Sequence, residues 1–215
     1  MKEAVLVFNG WGMDDRAIEH LCDGRRVLLI APQTPLQTIA TMINAWGERE
    51  THIIAWSMGV WAANRFLSMY SDALLVKKAI AINGTPPGID DDYGIPLAVF
   101  ERMVAAFNQQ QRNKLYRRIF SLPHWRDDDY SAYLPQCAIS EQHHALTVLL
   151  QASATPYDTY AAWSHAWISE MDSVVPSLHQ HRYWRERGVC LQTKAAPHHL
   201  LRNWSSWADF LHDCP

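Results

Sequence analysis

Ser57, Asp172 and His198 stand in that order along the chain, and together they could carry out acyl transfer. A serine hydroxyl attacks a carbonyl only when a base takes its proton; histidine can do this near neutrality, and a carboxylate fixes the histidine tautomer and steadies the imidazolium that forms. The serine lies in Ala55-Trp56-Ser57-Met58-Gly59, with small residues two before and two after it. A sharp strand-to-helix turn that lifts Oγ out of a sheet has no room for larger side chains at those places. Short strings of this kind are common, and a solvated turn serine is the plain alternative. Asp172 follows an apolar run and precedes Pro176, which suits the start of a helix. Asp158 is the competing carboxylate, read as a solvated side chain in a stretch without strands. Two adjacent histidines compete for the base: His198, at the head of its loop, is preferred, and His199 stays open.

These residues need a scaffold that delivers them to one edge. Ala4 to Phe8 is a short apolar run ending in Asn9-Gly10-Trp11-Gly12, a buried strand entering a glycine-rich loop. Acyl transfer also requires N–H donors for the tetrahedral oxyanion, and the loop after this strand and the residue after the nucleophile map to Trp11 and Met58. Asp14 and Asp15 open an expected helix through Cys22. Further strands are expected at 26–31, 52–56, 78–84, from 165 to a point before Asp172, and at 188–192, with helices at 36–46, 58–70 and 204–211. Strands alternating with helices predict a mostly parallel, doubly wound sheet of about six strands, whose ligands bind beyond the carboxyl ends. Asn9, Ser57 and Gly84 all fall at such ends. The rhythm breaks between residues 88 and 160, where helices are expected near 96–108, 109–121 and 141–152. This divides the single domain into a core of 1–87 and 161–215 and a helical lid insertion of 88–160, placed to cover the strand ends and exclude water. The order serine, acid, histidine on such a sheet is that of the α/β-hydrolases.

Composition narrows the function further. With 19 Lys and Arg against 22 Asp and Glu, the net charge of -3 excludes the broadly basic field that general nucleic-acid binding needs. No stretch approaches a membrane span and no signal segment is evident, so a cytoplasmic monomer is expected. Cys22, Cys137, Cys190 and Cys214 are scattered, which favours free thiols over disulfides or zinc. His143, His144, His179 and His181 lack partners at metal-site spacing, so no metal or cofactor is expected. Among ten tryptophans, Trp11 and Trp56 flank the candidate site and, with Met58, are read as substrate-channel walls, although core packing accounts for Trp56 equally well.

Phe8-Asn9-Gly10-Trp11-Gly12-Met13-Asp14, Ala55-Trp56-Ser57-Met58-Gly59-Val60-Trp61, and Asp172-Ser173-Val174-Val175-Pro176 with Gln180 and Trp184 resemble the pimeloyl-acyl-carrier-protein methyl ester esterases of the BioG type, compact α/β-hydrolases of biotin synthesis. The resemblance covers essentially the whole chain, with Ala55 where a glycine is common and a terminal loop, Pro197-His198-His199-Leu200-Leu201, that matches only loosely. It implies that Ser57 attacks the methyl ester of a pimeloyl chain borne on acyl-carrier protein. The acidic carrier would dock on a basic helix face, for which Lys114, Arg117 and Arg118 have the i, i+3, i+4 spacing; a merely solvated face is the alternative. The same residues would also serve a general short-chain carboxylesterase or a thioesterase, and a non-catalytic carrier-binding protein could keep the fold.

Overall fold

The computed structural model describes residues 3–48, 50–70, 72, 74–122, 129–154 and 161–214, so Asp158 lies outside the described residues. Six strands form one sheet: β1 (Ala4–Phe8), β2 (Val27–Ile30), β3 (Glu50–Trp56), β4 (Leu75–Ile82), β5 (His165–Ser169) and β6 (Cys190–Lys194). The spatial order is β2-β1-β3-β4-β5-β6, and every pairing is parallel. Because helices cover both faces of such a sheet, its strands must be apolar throughout rather than alternating. Every residue of β1, Ala-Val-Leu-Val-Phe, is buried. From β1 the chain moves outward to β2 and then returns to the other side of β1 with β3, so the order reverses between β1 and β3. That reversal opens a crevice at the strands' carboxyl ends, where the Asn9–Gly12 loop and Ser57 emerge.

Helices α1 (Leu36–Trp46), α2 (Met58–Met69), α6 (Ser177–Glu186) and α7 (Trp207–His212) belong to the alternation, while α3 (Leu97–Ala106), α4 (Gln109–Phe120) and α5 (Ile139–Ser153) are inserted between β4 and β5. The α3–α4 corner is set by Asn108, whose side-chain oxygen accepts from the N–H groups of Gln110 and Gln111 and caps α4. Among the described residues no helix is long and apolar enough to cross a membrane.

Three local expectations are corrected. Residues 14–22 form two short 3-10 turns, Asp15–Ala17 and Glu19–Leu21, rather than one α-helix. An α-helix needs the Asp14 and Ala17 carbonyls for internal bonds four residues on. Here Asn9 Nδ2 donates to the first at 3.0 Å and His199 Nε2 to the second at 2.8 Å. The last strand starts at Cys190, not 188, because Gly188 at φ 64° is still turning the chain after α6. The closing helix starts at Trp207, where the Ser206 hydroxyl accepts from Asp209 N–H; residues Leu200–Asn203 form a separate 3-10 turn.

Candidate active site

Ser57 joins β3 directly to α2 and holds φ 58°, ψ -127°, a conformation that side-chain-bearing residues rarely adopt. The turn is enforced from both sides. Its N–H donates to Ile82 O at 2.9 Å and its carbonyl accepts from Val60 N–H at 3.0 Å. A Cβ on Gly59 would lie 2.0 Å from the Phe8 carbonyl oxygen, and one on Gly84 would lie 2.4 Å from the Ser57 carbonyl oxygen. Glycine at both places therefore lets β1, β4 and the elbow close on each other.

Asp172 follows β5, and its carboxylate is saturated with donors. Val174 and Val175 N–H reach Oδ1 at 2.8 and 3.0 Å, while Gln180 Nε2 and His198 Nδ1 reach Oδ2 at 3.0 and 2.8 Å. With Nδ1 donating to the carboxylate, neutral His198 keeps the lone pair on Nε2, the tautomer a general base requires. Ser57 and His198 line the same cavity, along with Gly10, Trp11, Trp56 and Met58. The Ser57 hydroxyl forms no hydrogen bond among the described residues; such links in free hydrolases are loose and tighten when substrate arrives.

The His198 loop is held through its backbone. Ser169 Oγ donates to Pro197 O at 2.8 Å; Asn83 Nδ2 and Trp56 Nε1 donate to His198 O at 2.7 and 3.0 Å. Asn83 also accepts from Ser169 N–H at 2.6 Å and takes φ 47°, a left-handed conformation that asparagine tolerates. Trp56, only 1% exposed, thus packs in the core, lines the cavity and fixes the histidine loop. Asn83 and Ser169 have no role in the sequence reading, because the contacts of Asn83 with Ser169 and His198 cross 86 and 115 residues of chain and carry no local signal, the one visible cue being Asn83 at a strand end before Gly84; Gln180, eight residues from Asp172, enters there only with the resemblance.

His199 points elsewhere. It is fully buried among Trp56, Phe120, Tyr133 and His20, donates Nε2–H to Ala17 O, and gives its backbone N–H to Ile119 O at 2.7 Å. Burial pulls its pKa from 6.5 to about 3, so the ring is neutral. It forms no hydrogen bond with Asp172 among the described residues, and its Nε2 is committed to the Ala17 carbonyl.

The glycine loop is tied to the inserted helices. Trp11 Nε1 donates to Gln142 O at 3.1 Å, and Gln142 Nε2 reaches Gly12 O at 2.9 Å and Tyr116 Oη at 2.8 Å. The Trp11 backbone N–H has no described partner, and the Met58 N–H lies in the first turn of α2, which lacks intrahelical acceptors. Lys114, Arg117 and Arg118 are all exposed on α4, away from this inner cavity; Lys114 and Arg118 line a second, outer cavity and Arg117 does not. His143 Nε2 donates to Val104 O at 3.0 Å, and among the described residues no group of three His, Cys, Asp or Glu side chains could hold a metal ion.

The geometry can be set beside known proteins. A hydrolase from Pseudomonas aeruginosa superposes with TM-score 0.66 over 94% of this chain and 85% of its own at 14% identity, which shows the shared α/β-hydrolase fold. BioG from Haemophilus influenzae superposes with TM-score 0.79 at 27% identity, covering 96% of this chain and 93% of its own. The malonyl-(acyl-carrier protein) O-methyltransferase of Bacteroides fragilis is 34% identical over 190 residues, 86% of this chain; the chain spans 37% of that protein's length. Residues 2–210 match the family model described as pimeloyl-ACP methyl esterase BioG, and the chain belongs to that family of ester hydrolases.

Proposed function

We propose that this protein removes the methyl group from a pimeloyl methyl ester carried on acyl-carrier protein, in the cytoplasm and as a monomer, as a step of biotin synthesis. The observation that carries the reading is the His198–Asp172 hydrogen bond of 2.8 Å beside the Ser57 elbow in one apolar cavity. Ser57 Oγ attacks the ester carbonyl carbon while His198 Nε2 takes its proton. The oxyanion is received by the N–H groups of Trp11 and Met58. Collapse expels the methoxy group, which leaves as methanol with the proton from His198. Water, deprotonated by His198, then attacks the acyl-serine and releases the free carboxylate and Ser57. Asp172 holds the imidazole in register throughout and stays ionised.

The carrier docks on the exposed face of α4 through Lys114, Arg117 and Arg118, none of which is paired with a carboxylate among the described residues. Such rim charges act mainly on encounter with an acidic partner and weaken with salt. The deciding experiment is growth of a biotin-requiring host that lacks its methyl ester esterase: this gene should restore growth and Ser57→Ala should not. Charge reversal at Arg117 and Arg118 should lower carrier-linked turnover more than small-ester turnover; an equal fall in both removes the docking face from the reading.

A further inference from the structure

The loop from Asn9 to Asp14 is closed at its ends by its own residues and held in its middle by a distant helix. Asn9 Oδ1 accepts from Gly10 N–H at 2.9 Å, and Asn9 Nδ2 donates to Asp14 O at 3.0 Å. Between them Met13 N–H reaches Gly10 O at 3.3 Å, which makes a four-residue turn with Trp11 and Gly12 at its corners and Gly12 at φ 71°. A turn with glycine in third place converts readily between two forms that differ in the direction of the central peptide, so the turn alone does not fix its backbone N–H groups. Among the described residues, the only polar partner of Trp11 and Gly12 outside the loop is Gln142 of α5, which accepts from the Trp11 indole through its main-chain carbonyl and donates to Gly12 O through its side chain.

Packing does not explain a glutamine at this place. Gln142 is 2% exposed; its Nε2 commits its N–H groups to Gly12 O at 2.9 Å and Tyr116 Oη at 2.8 Å, while Oε1 has no partner among the described residues. A buried amide oxygen left unpaired is unfavourable, and an apolar side chain of the same volume would fill the space without that penalty. Turning the amide over would set Oε1 against Gly12 O, so the residue is held in one orientation. A Cβ on Gly12 would lie 3.1 Å from Nε2, which puts the amide directly on the turn. The other inserted helices bear on the same corner: Tyr116 of α4 anchors the amide, and Phe107, just after α3, packs edge-on to the Trp11 ring with centroids 5.2 Å apart.

From this we infer that Gln142 is a positioning residue for oxyanion stabilisation: by gripping Gly12 O and the Trp11 indole it selects one form of the turn, the one that aims the Trp11 backbone N–H at the oxyanion formed on Ser57. Gln142 does not line the cavity of Ser57 and His198 and touches no reacting atom. It acts through Trp11, so the inference rests on the proposed role of that N–H. On this account the inserted helices lower the barrier to acyl transfer as well as covering the site.

Gln142→Met tests this, because it keeps the side-chain volume and the main-chain acceptor for Trp11 and removes only the bonds to Gly12 and Tyr116. The probes are p-nitrophenyl acetate and hexyl trifluoromethyl ketone, which adds to an activated serine and carries an oxyanion in the adduct. In the variant kcat/KM on the acetate should fall by about 30-fold or more, the scale of a misplaced oxyanion donor, and the inhibition constant of the ketone should rise by a matching factor. The acid limb of the pH–rate profile, which reports the base, should not move. A merely structural Gln142 would instead lower the number of sites titrated by a fluorophosphonate and leave the inhibition constant at the surviving sites unchanged, which overturns the inference. Tyr116→Phe takes away the second anchor of the amide and nothing from the loop; it should show the same paired change at smaller size, and it decides the question if Gln142→Met does not fold. Wild-type protein should bind the trifluoromethyl ketone at least about a hundredfold tighter than hexyl methyl ketone. If it does and the variants keep that preference, the positioning role fails while the esterase reading stands; if wild type binds both ketones equally, oxyanion stabilisation at Ser57 fails first and the inference falls with it.

Discussion

Acidification should unfold this protein partly through His199, and the size of the effect follows from its burial. In the folded chain the imidazole has a pKa of about 3 because desolvation penalises the cation, with His20, Arg202 and His198 adding repulsion. In the unfolded chain it titrates near its ordinary value of 6.5. Since the folded value is the lower one, the unfolded state takes up the proton first. Stability from this residue is therefore complete above pH 6.5 and is lost as pH falls towards 3. At pH 5 the loss is about 2 kcal/mol, from about 1.4 kcal/mol for each pH unit below the unfolded pKa. His199→Gln removes the titration while offering an N–H to Ala17 O. Urea unfolding of both proteins at pH 8 and pH 5 gives the comparison, with His20, whose pKa burial also lowers, contributing to both. The wild type should lose about 2 kcal/mol more than the variant between those pH values. Equal losses would mean that the His199 pocket is hydrated or opens in solution, and the reasoning would fail.

Other expectations follow from the same contacts. His198→Ala should reduce small-ester kcat by about three orders of magnitude or more, whereas His199→Gln should keep most of it; steady-state kinetics on p-nitrophenyl acetate distinguishes the two. Asn83→Ala leaves the buried Ser169 N–H without its acceptor and removes a donor from His198 O, so thermal unfolding should show a loss of about 1–3 kcal/mol together with a lower kcat. Gly59→Ala places a Cβ 2.0 Å from the Phe8 carbonyl oxygen. It should destabilise by about 3 kcal/mol or more, read as loss of soluble expression or a lowered urea midpoint.

The elbow was legible in the sequence because its requirements are local: Ala55, Ser57 and Gly59 sit within five residues, and the steric demand on each comes from the turn itself. The sheet was legible for a similar reason, since fully buried parallel strands leave uninterrupted apolar runs such as Ala4–Phe8. The sequence allowed only a preference for His198 over His199, because adjacent residues differ chiefly in which direction they face, and Asp172 and the aromatic cage that set those directions come from distant segments. Residues 14–22 misled for the converse reason. Their local preference was helical, but side chains of Asn9 and His199 claimed the carbonyls an α-helix would have used.

The cross-links from α4 and α5 to the core bear on how the protein could be re-engineered. Ile119 at the end of α4 accepts from the backbone of His199, next to the candidate base, and Gln142 on α5 accepts from Trp11, whose main chain is a candidate oxyanion donor. Helices that share hydrogen bonds with both loops are not an interchangeable cap. Transplanting α3–α5 from a relative with different substrate preference would misplace the histidine and glycine loops unless their partners at 119 and 142 moved with it, so a chimera has to be cut along those bonds and not at the ends of β4 and β5.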